Sequence, residues 1–449
     1  MRIPVTPPLI ADLLEGPAAA ERLRRVLDAG ALRPTKDDKY LPWDKLLHLD
    51  PPDGLSVEDW WMGMKMARLP MYRTIPLLDK KEESFRYTLA DPVLELISGI
   101  DRDASGRLEV SEQVTNPEVR DRYIISSLIE EAASSSILEG AATTVQRAKE
   151  MIRSGREPRN RSERMVLNNY VAMRRIRDLA DGPLSPEIIF DLHRILTEDT
   201  LDDPGAAGRL RRPGDPEDAV VVTDRTDGTT LHVPPDASEL PDRVQQMCAF
   251  ANEVSVEPYV HPVLRAILLH FWLAYDHPFV DGNGRTARGL FYWSMLRQGY
   301  WLTSFVSISR LLTRAPARYA RSFLYTETDD NDVTYFILYQ LDILRRAIDE
   351  LHVFLARKTR EIRAVERMLR PSVGLNYRQL ALLGRAVRHP GSRYTIESHR
   401  TSHDIVYQTA RTDLHDLADR GLLIRRKVGR RFVYSPPSDL VERLQRLEG

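Results

Sequence analysis

His277-Pro278-Phe279-Val280-Asp281-Gly282-Asn283-Gly284-Arg285-Thr286-Ala287-Arg288 is the stretch on which this chain turns. A proton acceptor, a carboxylate, a glycine loop and two arginines fall within a few residues. The His277 imidazole can take a proton near neutral pH. Asp281 is a hard oxygen ligand suited to Mg²⁺. Gly282 and Gly284 let the backbone curl until its N–H groups converge on an anion, and Arg285 and Arg288 add forked donors for phosphate oxygens. Leu264, Ile267, Leu268 and Phe271 recur at helical spacing before the stretch, and an apolar helical pattern resumes from Leu290 to Leu296. The motif is therefore expected as a loop between two helices, the second beginning near Asn283 with its N-terminal dipole aimed at the bound anion. Taken singly, His-Pro and Asp-Gly are ordinary loop material; their conjunction points to phosphate chemistry. His270 and His261, by contrast, are expected to pack or to start a loop.

The stretch resembles the Fic family signature H-P-F-x-D/E-G-N-G-R-x-x-R at every fixed position. The resemblance implies transfer of AMP from ATP to a protein hydroxyl, with His277 as general base, Asp281 holding Mg²⁺, Gly282, Asn283, Gly284 and Arg285 forming the anion hole, and Phe279 as a buried anchor. Upstream, Ile124, Ile125, Leu128 and Ile129 lie on an amphipathic run that should end as a helix at Gly140. Its Ser135-x-x-x-Glu139-Gly140 is similar to the Fic inhibitory motif, here N-terminal to the core as in the family's second class. That implies a Glu139 to Arg288 ion pair that denies ATP its productive pose, with Ser135 one turn earlier bracing Glu139.

Between the two motifs, Val220-Val221-Val222-Thr223, a turn at Asp227-Gly228 and Thr230-Leu231-His232-Val233 read as a β-hairpin. Its position resembles the Fic flap, an edge that pairs with the target's backbone, so Val221, Val222, Thr223, Leu231 and His232 are candidate target contacts. Tyr319 stands where Fic proteins often carry a tyrosine near adenine, although Ala320 replaces a frequent second tyrosine.

The chain has 449 residues, 42% hydrophobic and 29% charged, with a net charge of −1. That is enough for two or three globular domains and gives no global bias toward nucleic acid or membrane. Cys248 stands alone, which excludes an intrachain disulfide and a cysteine-built zinc site. MRIPVTPPLIADLLEG lacks the character of a signal peptide and no run is long enough to span a membrane, so a cytoplasmic location is expected.

The expected fold is mainly α: a helical Fic core with a small hairpin flap, plus a C-terminal winged-helix domain of α+β type. Residues 1–112 are expected as a Pro- and Trp-rich extension packing on the core through a helix around Trp60-Trp61-Met62, 113–355 as the Fic domain including the inhibitory helix, 356–374 as a connector helix, and 375–449 as the winged helix. The last assignment follows from three short helices and then two strands, Leu422 to Val428 and Arg430 to Tyr434. Its YQTARTDLHDL run, residues 407–417, resembles the third helix of winged-helix domains fused to many Fic proteins. From Ser392 to Tyr434 nine basic residues (Arg393, Arg400, Arg411, Arg420, Arg425, Arg426, Lys427, Arg430, Arg431) face five acidic ones (Glu397, Asp404, Asp413, Asp416, Asp419). Arg411, Arg425, Arg426, Lys427, Arg430 and Arg431 are the candidate nucleic-acid contacts.

Two function classes stay open. One is an autoinhibited enzyme using ATP and Mg²⁺ to place AMP on a Ser, Thr or Tyr hydroxyl of a target protein, with AMP removal dependent on Glu139 as a variant. The other is a DNA-binding regulator whose Fic core senses nucleotide. DNA and a second copy of the chain are the further candidate partners.

Overall fold

The computed structural model describes residues 2–104, 117–224, 226–252, 258–369, 374–388, 391–403, 405–428 and 431–446. It divides into two compact units, Met1–Leu351 and His352–Gly449.

The first unit is built around two helices joined by the motif loop, Pro262–Asp276 and Asn283–Arg297, which pack on each other along their lengths. Both are apolar on nearly every face and almost wholly buried, as helices at the centre of a layered core must be. His261 caps the first by accepting a hydrogen bond from the Val263 N–H, with Pro262 at the first helical position. The chain leaves that helix at His277, whose φ of 45° is left-handed. It enters the second at Gly282, φ 84°, where a Cβ would come within 2.8 Å of Thr197 and 3.2 Å of His193. Only glycine fits that crossing.

Helices Pro117–Leu138, Arg161–Leu179 and Pro186–Thr197 pack in series and against Asn283–Arg297. The first ends in a left-handed Gly140, φ 98°, with Gly140 N–H donating to the Ile137 carbonyl and Ala141 N–H to that of Ser136, both at 2.9 Å. This Schellman closure makes Glu139 the capping residue directly after the helix's last residue, Leu138. The flap region is a two-stranded antiparallel sheet, β3 (Val222–Thr223) with β4 (Thr230–His232).

Trp60, Trp61, Met62 and Met64, on the helix Val57–Arg68, are buried against Leu13, Val26, Trp43 and Leu46. The extension is pinned to the turn before the helix Thr334–Leu369 by buried polar contacts: Lys65 Nζ to Asp329 at 2.7 Å, Arg68 to the Tyr335 hydroxyl at 3.0 Å, and the Tyr40 hydroxyl to Asp332 at 2.6 Å. Sequence reasoning missed a second hairpin here, β1 (Arg73–Leu78) with β2 (Ser84–Tyr87), whose inward residues are Ile75, Leu77, Phe85 and Tyr87. Pro76 and the charged turn from Asp79 to Glu83 obscure its alternation.

In the second unit, helices Tyr377–Arg388, Ile396–His403 and Tyr407–Asp419 precede an antiparallel pair, β5 (Ile424–Val428) with β6 (Arg431–Ser435). Leu422 and Leu423, expected in the first strand, instead turn into a core with Leu383, Ala410, Leu414, Leu417 and Tyr434. The expected turn at Gly429 and Arg430 lies outside the described residues. Among the described residues no helix is long and apolar enough to cross a membrane.

Candidate active site

His277 and Arg288 are walls of one cavity of about 390 Å³, shared with Asp281, Gly284, Glu139 and the flap residue Thr223. His277 Nδ1 lies 3.1 Å from the Ala274 carbonyl, which can only accept, so Nδ1 carries the hydrogen and Nε2 keeps the lone pair. Burial pushes this imidazole down to about 4, which holds it neutral at physiological pH. Its carbonyl is gripped by Arg211 Nε at 2.8 Å. The side chain of Asp276 is buried against Arg243 at 2.8 Å and the Trp272 indole at 2.9 Å.

Glu139 reaches this cavity from the end of its helix. Its Oε1 lies 2.8 Å from Arg288 Nη2, while Ser135 Oγ accepts from Arg288 Nε at 2.9 Å and the Ser135 carbonyl from Nη2 at 3.1 Å. Ser135 was expected to brace Glu139. Its carbonyl accepts from the Glu139 N–H at 3.3 Å, and its side chain holds the arginine with which Glu139 pairs. A Cβ at Gly284 would collide with the Glu139 carboxylate. The carboxylate thus rests on the bare backbone at the start of the helix Asn283–Arg297, where free N–H groups and the positive dipole end favour an anion. Arg288 Nη1 is buried without a hydrogen-bond partner and lies 3.1 Å from where that Cβ would be.

The loop residues divide their roles differently from the expectation. Asn283 turns its side chain inward, accepting from Phe279 N–H at 2.9 Å and donating to its carbonyl at 2.7 Å, so it ties the loop and leaves anion contact to the backbone. Arg285 is buried and absent from the cavity wall; it donates to the Leu196 carbonyl at 2.7 Å and approaches Asp281 Oδ2 to 3.5 Å. Gly284 and Arg288, four residues apart, share the helix face toward the cavity, and Arg285, the residue after Gly284, is turned about 100° away from it. Asp281 is half-exposed, with Oδ1 accepting from Gly282 N–H at 2.6 Å. Among the described residues no group of three or more metal-binding side chains occurs. One open carboxylate suits Mg²⁺, which takes its other ligands from water and phosphate.

On the flap, Val221 is half-exposed and Val222, Thr223 and Leu231 line the cavity. His232 differs: it is buried, its Nδ1 2.7 Å from Glu327 and its Nε2 2.7 Å from the Tyr275 carbonyl, so it anchors the hairpin. Tyr319 is in the cavity wall, and its hydroxyl is joined to His270 Nε2 at 2.8 Å.

Sequence reasoning missed His193. Its ring stacks on Phe279 with centroids 3.7 Å apart and planes 7° from parallel; Nδ1 accepts from Gly208 N–H at 2.9 Å, and Nε2 lies 2.8 Å from the Asp281 carbonyl. It braces the anion loop from behind. Arg211, which clamps His277 and the Pro235 carbonyl, was likewise unseen. Both sit far from the motif in sequence, and only Phe279, an aromatic needing a partner, hinted at them.

Comparison with known proteins agrees with this geometry. Residues 183–295 match the Fic/DOC family. Protein adenylyltransferase Fic of Drosophila erecta is 39% identical over 69 residues, 15% of this chain and 14% of that protein. The protein of the same name from Nematostella vectensis is 45% identical over 71 residues, 15% of this chain and 16% of that one. The similarity thus spans about a seventh of these relatives' length. The crystal structure of a Fic family protein from Desulfovibrio desulfuricans shares the fold with a TM-score of 0.52 at 19% identity, covering 78% of this chain and 98% of that one. The matched residues 183–295 contain both the motif loop and the β3–β4 hairpin, so it is this segment that is similar to the Fic/DOC family.

Proposed function

We infer that this protein transfers AMP from ATP to a side-chain hydroxyl of another protein, and that Glu139 holds it at rest. The observation that carries the inference is a neutral imidazole with a free acceptor nitrogen in the same cavity as an anion-binding helix start and an accessible strand edge. The target's backbone pairs along the flap edge, which brings its hydroxyl into the cavity without reading side chains. His277 Nε2 takes the hydroxyl proton as the oxygen bonds to the α-phosphorus, and the bond from that phosphorus to the bridging oxygen breaks to release pyrophosphate. Arg288 and the backbone N–H groups of Asn283 and Gly284 hold the phosphates in line. Asp281 would hold Mg²⁺, which supplies neutralisation of phosphate charge when bound.

Glu139 competes directly with that arrangement. It occupies both Arg288 and the helix start, the two features a terminal phosphate needs. A carboxylate at the end of its own helix is opposed by that helix's dipole, so the resting contact depends on Arg288.

The test is incubation with ATP labelled at the α-phosphate. Label should pass to protein with Glu139→Gly, and should be lost with Glu139→Gly/His277→Ala and with chelated Mg²⁺. No label from the Glu139→Gly protein in a complete cell lysate would overturn the transfer reaction. A second reading, removal of AMP with Glu139 positioning a water, is favoured by the carboxylate sharing the cavity with His277; it requires wild-type protein, and not Glu139→Gly, to release AMP from a modified protein.

A further inference from the structure

The second unit separates its charges in a way its composition does not reveal. On the helix Tyr407–Asp419, Ala410, Leu414 and Leu417 are buried in the unit's core, which leaves Tyr407, Gln408, Arg411 and Thr412 exposed on the first two turns. These positions stand one turn apart on one face. The acidic residues of the same helix are turned away and occupied. Asp413 is buried and accepts from Arg378 Nε and Asn376 Nδ2, each at 2.7 Å. Asp416 accepts from Gln379 Nε2 at 2.6 Å and from Arg420 Nε at 2.9 Å. On the neighbouring helix, Glu397 is paired with Arg400 at 2.6 Å. Asp419 is exposed, at the far end of the helix from Tyr407.

The hairpin beside this helix carries further exposed cations. Arg425, Arg426, Lys427 and Arg431 are all exposed, and residues 424–435 include no acidic side chain. Arg425 Nη1 donates to His415 Nδ1 at 2.8 Å and its guanidinium lies 5.3 Å from the centre of the Phe432 ring. The His415 ring in turn packs against Phe432 and Tyr434, at 6.4 and 6.2 Å between centroids. The hairpin is thereby locked to the helix; in its register Arg425 and Lys427 share the face that carries Phe432 and Tyr434, and Arg426 and Arg431 share the opposite face.

We propose that this unit binds duplex DNA, the start of the helix Tyr407–Asp419 entering the major groove and the β5–β6 hairpin, with exposed cations on both of its faces, lying along the phosphate backbone. Three helices followed by a hairpin place the third helix outward, as helix-turn-helix folds place their reading helix. Arg411 has the fork for a guanine edge, Gln408 the paired donor and acceptor for adenine, and Thr412 a methyl for thymine. Arg426, Lys427 and Arg431 provide sequence-independent phosphate contacts.

The test uses the full chain and a fluorescent mixed-sequence duplex of about 30 base pairs, three helical turns. A complex should form at about 50 mM salt and weaken roughly a hundredfold by about 200 mM, the slope for about four phosphate contacts. Arg426→Glu/Lys427→Glu, both at exposed sites, should weaken it by about tenfold or more with unchanged thermal melting. Arg411→Ala should flatten the preference among duplexes selected from a randomised pool. No complex at the lower salt, equal affinity for the hairpin variant, or equal affinity for a single strand would each overturn the proposal. Because no nucleotide is added, the outcome is independent of the transfer reaction.

Discussion

Glu139 Oε1 lies 2.8 Å from Arg288 Nη2, and its carboxylate fills the hollow that a side chain at Gly284 would occupy. One acidic group therefore blocks an arginine and a helix start together. Glu139→Gly should raise AMP transfer about tenfold or more, equivalent to releasing about 1.4 kcal/mol of misplaced binding. Initial rates of label incorporation at saturating ATP measure this; equal rates in the two proteins would refute the restraint.

Gly284 is the surface on which either anion must rest. Gly284→Ala should abolish transfer, and Gly284→Ala/Glu139→Gly should stay inactive, because the added methyl displaces phosphate as well as carboxylate. Recovery of label in the double variant would show that the phosphate lies elsewhere.

His193 shapes the loop without touching a phosphate. His193→Ala removes the stack on Phe279 and the contact with the Asp281 carbonyl. In the Glu139→Gly background it should lower kcat about tenfold or more by loosening the groups that align the phosphates. Asn at this position, able to restore one hydrogen bond but no stack, should recover part of the loss, and kinetics at several ATP concentrations separate kcat from KM.

Acid should act on rate and stability over different ranges. Burial holds His277 and His193 down at about 4 and His270 at about 3, against an ordinary value near 6.5. The unfolded chain thus binds protons below about pH 6.5 that the folded protein refuses until about pH 4, so stability falls as pH falls through that window. Each histidine contributes at most about 1.4 kcal/mol per pH unit. Asp276, pushed up to about 6 by burial, opposes the trend because the folded state takes its proton first. Four imidazoles held down, His399 included, against two raised carboxyls, Asp276 and Asp329, leave a net loss, visible as a lower Tm at pH 5 than at pH 7. Transfer by Glu139→Gly should not titrate with a midpoint near 6.5, since His277 stays a free base down to about pH 4. A rate profile with that midpoint would show that burial does not hold the His277 imidazole down.

Much of the site was legible because the motif is local. A helix, a loop that needs Gly282 and a second helix follow from residues within a few positions of one another, and the Schellman end at Gly140 follows from the glycine itself. The β1–β2 hairpin was hidden because Pro76 and a charged turn interrupt its alternation, although Ile75 and Leu77 are buried. Arg285 carried the right chemistry but turns its guanidinium to the Leu196 carbonyl, since side-chain direction on a helix start is set by what packs behind it.

By itself the sequence determined which groups are available: an imidazole, an open carboxylate, a glycine loop, an arginine and, far upstream, a glutamate at a helix end. Tertiary packing decided their partners. Ser135 went to Arg288 because two helices cross there; His193 came across 88 residues to the Asp281 carbonyl of the loop it braces; and a modest basic excess in the last unit was left exposed when Asp413 and Asp416 were bound within it. Local spacing encodes helix faces and turns, whereas hydrogen bonds between distant side chains form only after burial selects which faces meet.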